Sequence, residues 1–220
     1  MDTSGESLPS ILLFIIVLAL FAQVAIRVVP ARPRPFPIVA LVAVVAIAVP
    51  SLLQFAVPVL GAALTRAPDL TIHHGQWWRI LTAVAAQDGG LVAAIFNLVV
   101  IAGVVTAGEW IWGRWRAVVL FLGPSVILNL LAVFLWHAPG GGSSFATDGL
   151  LMSVCGLGLL VSTRVVVRLC AIAAIVVGVV LVVLGDAHGV AMLLGAALGI
   201  LFALLHQDRA RRMRGVRSPA

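Results

Sequence analysis

The sequence predicts an all-α polytopic membrane protein, built as a six-helix core behind one added N-terminal transmembrane helix. Three observations lead there. Of 220 residues, 62% are apolar and only 10% are charged, against about 25% charged in ordinary soluble domains. The apolar residues fall into seven runs, most of them long enough to cross roughly 30 Å of hydrocarbon at the usual helical rise. The arginines concentrate in alternate connections between those runs, as the positive-inside rule requires of a membrane protein.

Taken in order, the runs cover residues 8–29, 37–64, 91–108, 117–136, 149–161, 169–184 and 187–205. The first follows an acidic leader, "MDTSGES", and is too long for a signal peptide, so it reads as a retained anchor. A Pro/Arg-rich linker, "VPARPRPFP", separates it from the rest. The domain organisation is thus an anchor and linker at 1–36, a core at 37–206 and a basic tail at 207–220. All fourteen basic residues are Arg, and twelve lie in "RVVPARPRP", "EWIWGRWR", "STRVVVR" and the tail "HQDRARRMRGVR". Only Arg66 and Arg79 fall on the other side, which selects an outer N-terminus and a cytoplasmic C-terminus. The net charge of +6 is explained by this topology, so nucleic acid is not an expected partner; the bilayer is. The tail is either a topology determinant or a contact for anionic lipid. Cys155 and Cys170 lie in apolar helices without C-x-x-C spacing and read as buried thiols, with no metal or cofactor site expected.

Two segments depart from simple hydropathy. Residues 65–90 are amphipathic, and "HHGQWWRILTAV" sets Trp77, Trp78, Ile80 and Leu81 beside Arg79. That pattern fits either an interfacial aromatic belt or a specific structural loop in the outer leaflet. The fifth run is short: from Gly149 to Arg164 a helix rises about 23 Å, too little to span. Asp148 is therefore expected to open its helix below the outer surface. Non-helical backbone at such depth must be buried in protein or border water, so "HAPGGGSSFAT" should line an aqueous cavity. A phosphate cradle would need a following Gly-Lys-Ser/Thr, and none is present.

Polar groups at membrane depth are functional candidates: Asn97, Asp148 and His188, with Asp186 just outside. Below His188, the residues Ala191, Gly195 and Gly199 make a small-residue stripe, and Gly149, Ser153 and Gly156 make another. Such stripes let helices approach closely in lipid. If the two face each other, Asp148 and His188 meet; if they only pack helices, His188 is an interfacial residue with ordinary partners.

These residues resemble the rhomboid family of intramembrane serine proteases. "WWRILTA", with Trp78 and Arg79, resembles the W-R motif of that family's first outer loop. "GGLVAAIFN" resembles its G-G-x-x-H-x-x-x-N segment, and "GEWIWGRWR", with Glu109, Gly113 and Arg116, resembles its E-x-x-x-G-x-x-R turn. "ATDGLLMSVCG" sits where the family has G-x-S-G, and "AHGVAMLLGAALG" resembles its final A-H-x-x-G/A-x-x-x-G helix. The likeness covers residue 37 to about residue 205. It implies a Ser-His dyad with an oxyanion hole and a plasma-membrane protein, bacterial by expectation. Carried over, His188 is the base and Asn97 the oxyanion asparagine. Asp148 stands at the nucleophile's position, before the family's glycine at Gly149. Ala93 stands at the oxyanion histidine, and Gln87 and Asp88 replace the histidine that opens that helix.

The resemblance therefore implies a pseudoprotease that binds transmembrane segments of client proteins without cleaving them, with Asp148 and His188 as a brace between helices. Two alternatives stand beside it. One is an active protease with a displaced nucleophile, Ser144, Thr147 or Ser153, or with a second carboxylate from Asp88 or Asp186. The other is a small proton- or ion-coupled transporter, against which stands the lack of a visible inverted repeat.

Overall fold

The computed structural model describes residues 1, 3, 7–29 and 34–215, with side chains described to residue 205. In chain order the helices are α1 (Leu8–Val28), α2 (Ile38–Ala56), α3 (Pro58–Leu64), α4 (Pro68–His74) and α5 (Arg79–Thr82). They continue with α6 (Gly90–Trp112), α7 (Arg114–Phe134), α8 (Ser144–Val161), α9 (Val165–Val183) and α10 (Ala187–Gly215). Seven of them, all but α3, α4 and α5, are long and apolar enough to cross a membrane. Helices are the expected solution there, because every backbone N–H and C=O is satisfied within the segment. The linker residues 30–33 and tail residues 216–220 lie outside the described residues, and α10 carries helical backbone into the start of the tail.

Two differences from the sequence reading bear on the site. The run at 37–64 is not one helix: Pro58 keeps Val57 out of the helical region (φ −129°, ψ 82°), so α2 stops and α3 starts afresh. The fifth spanning helix begins at Ser144, five residues before Gly149, so Asp148 lies in its second turn and not at its head. At 18 residues it rises about 27 Å.

Helix α8 is the axis of the bundle. Of its 18-residue window 72% is buried, against at most 50% in any other span, and α1, α6, α7, α9 and α10 all pack on it. Its small residues explain how. A methyl group on Gly195 would overlap the Gly149 carbonyl, one on Gly199 the Ser153 carbonyl, and one on Gly156 the Ala196 carbonyl. The two stripes read from the sequence do face each other, and α8 and α10 touch backbone to backbone. On its other side Gly149 receives the ring of Pro124 from α7.

At the opposite end of the bundle the α6–α7 turn is held by Glu109. Its Oε2 accepts from the backbone N–H of Val39 (2.8 Å) and Ala40 (3.2 Å), two of the orphan donors in the first turn of α2. Gly113 makes the turn at φ +79°. Arg114 Nε, not Arg116, reaches the Glu109 carboxylate at 3.5 Å; Arg116 lies over the Trp115 ring.

Because Gly195 abuts backbone while Gly103 in α6 has open space around its Cα, the two should respond oppositely to alanine. Gly195→Ala is expected to cost about 2 kcal/mol or more through overpacking. Gly103→Ala should be neutral or stabilise by up to about 1 kcal/mol. Thermal unfolding in detergent checks both.

Candidate functional site

The site lies where the N-termini of α8 and α10 meet beneath the segment between α2 and α6. That segment is a structural loop that also presents aromatics. Arg79 is buried and donates to the carbonyls of Ala62 (2.7 Å) and Thr65 (2.6 Å) and to Gln76 Oε1 (2.7 Å). Around it Trp77, Trp78 and Leu81 stay more than half exposed, with Trp77 stacked on Phe134, while Ile80 is buried. Within "QWWRIL", Arg79 and Ile80 build the loop, while Trp77, Trp78 and Leu81 remain on its surface.

Arg66 fixes the glycine loop that leads into α8. Its backbone pairs in both directions with Gly140 (2.8 and 3.1 Å). Its guanidinium donates to Ala138 O (2.8 Å), Pro139 O (3.2 Å) and Asn129 Oδ1 (2.5 Å). Burial lowers the Arg66 pKa to about 10, and the neighbouring Asp88 carboxylate works against that fall. Asp88 in turn accepts from Gly141 N (2.6 Å), and Gly142 N donates to Ala83 O (2.9 Å). Gly140 sits at φ +135°, and a Cβ on Gly141 would lie 2.6 Å from that of Ala86, so this loop tolerates only glycine at both positions.

The loop delivers Ser144 as the first residue of α8. Its Oγ lies 2.8 Å from His188 Nε2. On the far side of the ring, His188 Nδ1 lies 2.7 Å from Asp186 Oδ1. Asp186 also caps α10, accepting from the His188 backbone N–H at 2.9 Å. A carboxylate at Nδ1 fixes the proton there and leaves Nε2 as acceptor for the Ser144 hydroxyl. Burial alone would raise the Asp186 pKa. The ring and backbone donations from His188 and the nearby Ser10 hydroxyl outweigh it and hold the carboxyl below its usual range. Phe145 packs its ring against His188 at 4.8 Å between centroids.

This corrects the pairing expected from the sequence. Asp148 makes no hydrogen bond with His188; it is fully buried, and both of its carboxylate oxygens lack a hydrogen-bond partner among the described residues. The reason is register: α8 starts at Ser144, and four residues, about one turn, separate it from Asp148. The other displaced candidates are occupied. Thr147 Oγ1 donates back to Ser143 O (2.9 Å). Ser153 Oγ donates to Leu150 O (2.6 Å) and accepts from Trp112 Nε1 (3.1 Å).

Next to the Ser–His pair, Asn97 Nδ2 donates to Gln87 Oε1 (2.9 Å), and Gln87 Nε2 donates to Ser143 Oγ (3.3 Å). Gln54 holds the Gln87 backbone from both sides (3.1 and 3.3 Å). Asn97 thus orients the Gln87 amide toward the start of α8. A cavity of about 640 Å³ is lined by Gln87, Asn97, Gly141, Ser144, Asp186 and His188, with Ala93 on its wall. Sequence reading passed over Arg66, Asn129 and the role of Asp186. An asparagine inside the apolar run of α7 was the available signal for the second.

No protein-family model matches the chain, and no curated protein matches it.

Since the Asp186 pKa lies below its unfolded value near 3.8, its stabilisation is complete above about pH 4 and is lost as pH falls through the lowered folded value. Asp186→Asn should cost about 2 kcal/mol at neutral pH and flatten that acid limb. Unfolding midpoints measured from pH 7 down to pH 3 check the direction.

Proposed function

We propose that the chain is a serine-type endopeptidase of the membrane, rhomboid-like as its motifs suggest, with Ser144 as the nucleophile. The observation that carries this reading is the unbroken Ser144–His188–Asp186 array at 2.8 and 2.7 Å on the wall of a cavity. Hydroxyl, imidazole and carboxylate in that order are the arrangement that activates a serine. The expectation of a client-binding fold without a nucleophile took Asp148 as the residue facing the base. With Ser144 in that place, the catalytic reading is the better supported.

The chemistry follows from the geometry. Ser144 Oγ attacks the carbonyl carbon of a peptide bond while its proton passes to His188 Nε2. Asp186 steadies the imidazolium that results. The oxyanion meets Gln87 Nε2 and the N-terminus of α8, whose first N–H groups have no intrahelical partner. Gln87 in this way takes over the donor that Ala93 lacks. Collapse expels the amine, which takes the proton from His188, and leaves an ester on Ser144. Water from the cavity gives a proton to His188 and attacks the ester carbonyl; His188 returns that proton to Ser144 Oγ as the acid leaves. The substrate class is a transmembrane segment, because the site opens among helices that face lipid. Among the described residues, Arg27, Arg34, Arg114, Arg116, Arg164 and Arg168 lie at the opposite end of the helices, which supports an outward-facing site.

The test is cleavage of a helix-destabilised transmembrane peptide in liposomes. Ser144→Ala and His188→Ala are expected to abolish turnover. Asp148→Asn is expected to retain it, because the Asp148 carboxyl makes no hydrogen bond to Ser144 or His188. Gln87→Ala should lower kcat by about 100-fold with KM little changed. Turnover that survives Ser144→Ala, or that depends on the Asp148 carboxylate, would overturn the proposal.

A further inference from the structure

Helix α1 does not stand apart from the core as an anchor would. It packs along α9 and α8, and its Phe14 ring meets Phe96 of α6 edge-on at 6.4 Å between centroids. Helices α6 and α9 are not packed on each other along their length; α1, packed on α9, stands across the cavity from α6 and meets it at the Phe14–Phe96 contact. This placement reaches the chemistry: Ser10, Ile11, Phe14 and Ile15, the first two turns of α1, form one wall of the cavity that holds Ser144 and His188. Ser10 is buried there, its hydroxyl paired with Ser7 at 2.7 Å and close to the Asp186 carboxylate.

We infer that α1 is a tethered plug, occupying the lipid-facing mouth between α6 and α9 through which a transmembrane segment must reach Ser144. The inference rests on the hydrolytic reading above and adds its regulation. The attachment of α1 suits displacement. One narrow stripe is buried, Val17, Phe21, Val24 and Ala25, while Ile11, Leu12, Ile15, Ile16 and Ile26 stay exposed. Val24 seats on Gly158, where a Cβ would lie 2.7 Å from its Cγ1. In lipid no hydrophobic force favours α1 over another apolar helix, only packing does. Its advantage is the tether: nine residues, 29–37, join α1 to α2, which keeps its effective concentration high. An arriving segment therefore competes with a built-in occupant of the same class.

The experiment uses the full chain carrying Phe14→Cys and Phe96→Cys, bridged in liposomes by a short bis-methanethiosulfonate that dithiothreitol releases. Wild type with the same treatment controls for Cys155 and Cys170. Two readouts are taken: labelling by a small fluorophosphonate, and cleavage of a transmembrane peptide. Bridging should cut peptide cleavage at least tenfold while labelling persists, with dithiothreitol restoring cleavage. A second variant, Val17→Ala with Phe21→Ala, should raise peptide cleavage severalfold at unchanged labelling. Equal cleavage by bridged and released protein, with labelling intact, would overturn the plug and leave the hydrolase standing. Absence of labelling and cleavage in every form, wild type included, would overturn both.

Discussion

The contact on which the rest depends is the glycine-mediated approach of α8 to α10. These helices run parallel, each with its N-terminus at the site, and their backbones touch at Gly149 against Gly195 and Ser153 against Gly199. Ser144 stands five residues above Gly149, and His188 seven above Gly195. At about 1.5 Å per residue the lever arms are short, so the spacing of the stripes transmits almost directly to the 2.8 Å contact between Oγ and Nε2. Packing is the main source of helix association in lipid, and here the same packing sets the geometry of the Ser144–His188 pair.

A second constraint acts on the chain that enters α8. Three glycines in a row are free to adopt many conformations, and freedom is unhelpful where a hydroxyl must meet an imidazole. Arg66 removes it from one side and Asp88 from the other, each bonding to the loop backbone. Asn129, in the middle of an apolar helix, is what makes Arg66 affordable at that depth: its Oδ1 accepts from the guanidinium, and its Nδ2 donates to Ile80 O at 2.9 Å. Charge placed inside a membrane protein thus serves to immobilise backbone, and nearly all its donors are spoken for.

Much of this was legible in the sequence. The seven spans, the two small-residue stripes and His188 at the head of its helix follow from composition and spacing; the burial of Arg79 and the facing of the stripes do not. What was not legible was a register of one helical turn. The sequence offers Ser144 and Asp148 as alternative polar residues near the head of α8, and the glycine after Asp148 favoured the latter. Helix starts are decided by what satisfies the first N–H groups and the preceding backbone. Here that is Arg66, Asp88 and Ala83, contacts between segments far apart in the chain. Asp186 was visible but stood outside the span, and only the turn into α10 brings its carboxylate under the imidazole. Gln87 was read as a departure from a motif, when its amide reaches the Ser143 hydroxyl at the start of α8.

Asp148 remains the residue whose chemistry is least economical: a fully buried carboxylate without a hydrogen-bond partner among the described residues. It lies one turn below the serine and takes no part in the array. The account therefore makes a residue-level statement that one measurement reads directly. The purified chain is reacted with a fluorophosphonate and digested, and the modified peptide is sequenced by tandem mass spectrometry. The account predicts a single phosphonyl group on Ser144, lost in His188→Ala. An adduct on Ser143, Thr147 or Ser153, or none in protein shown to be folded, would contradict it.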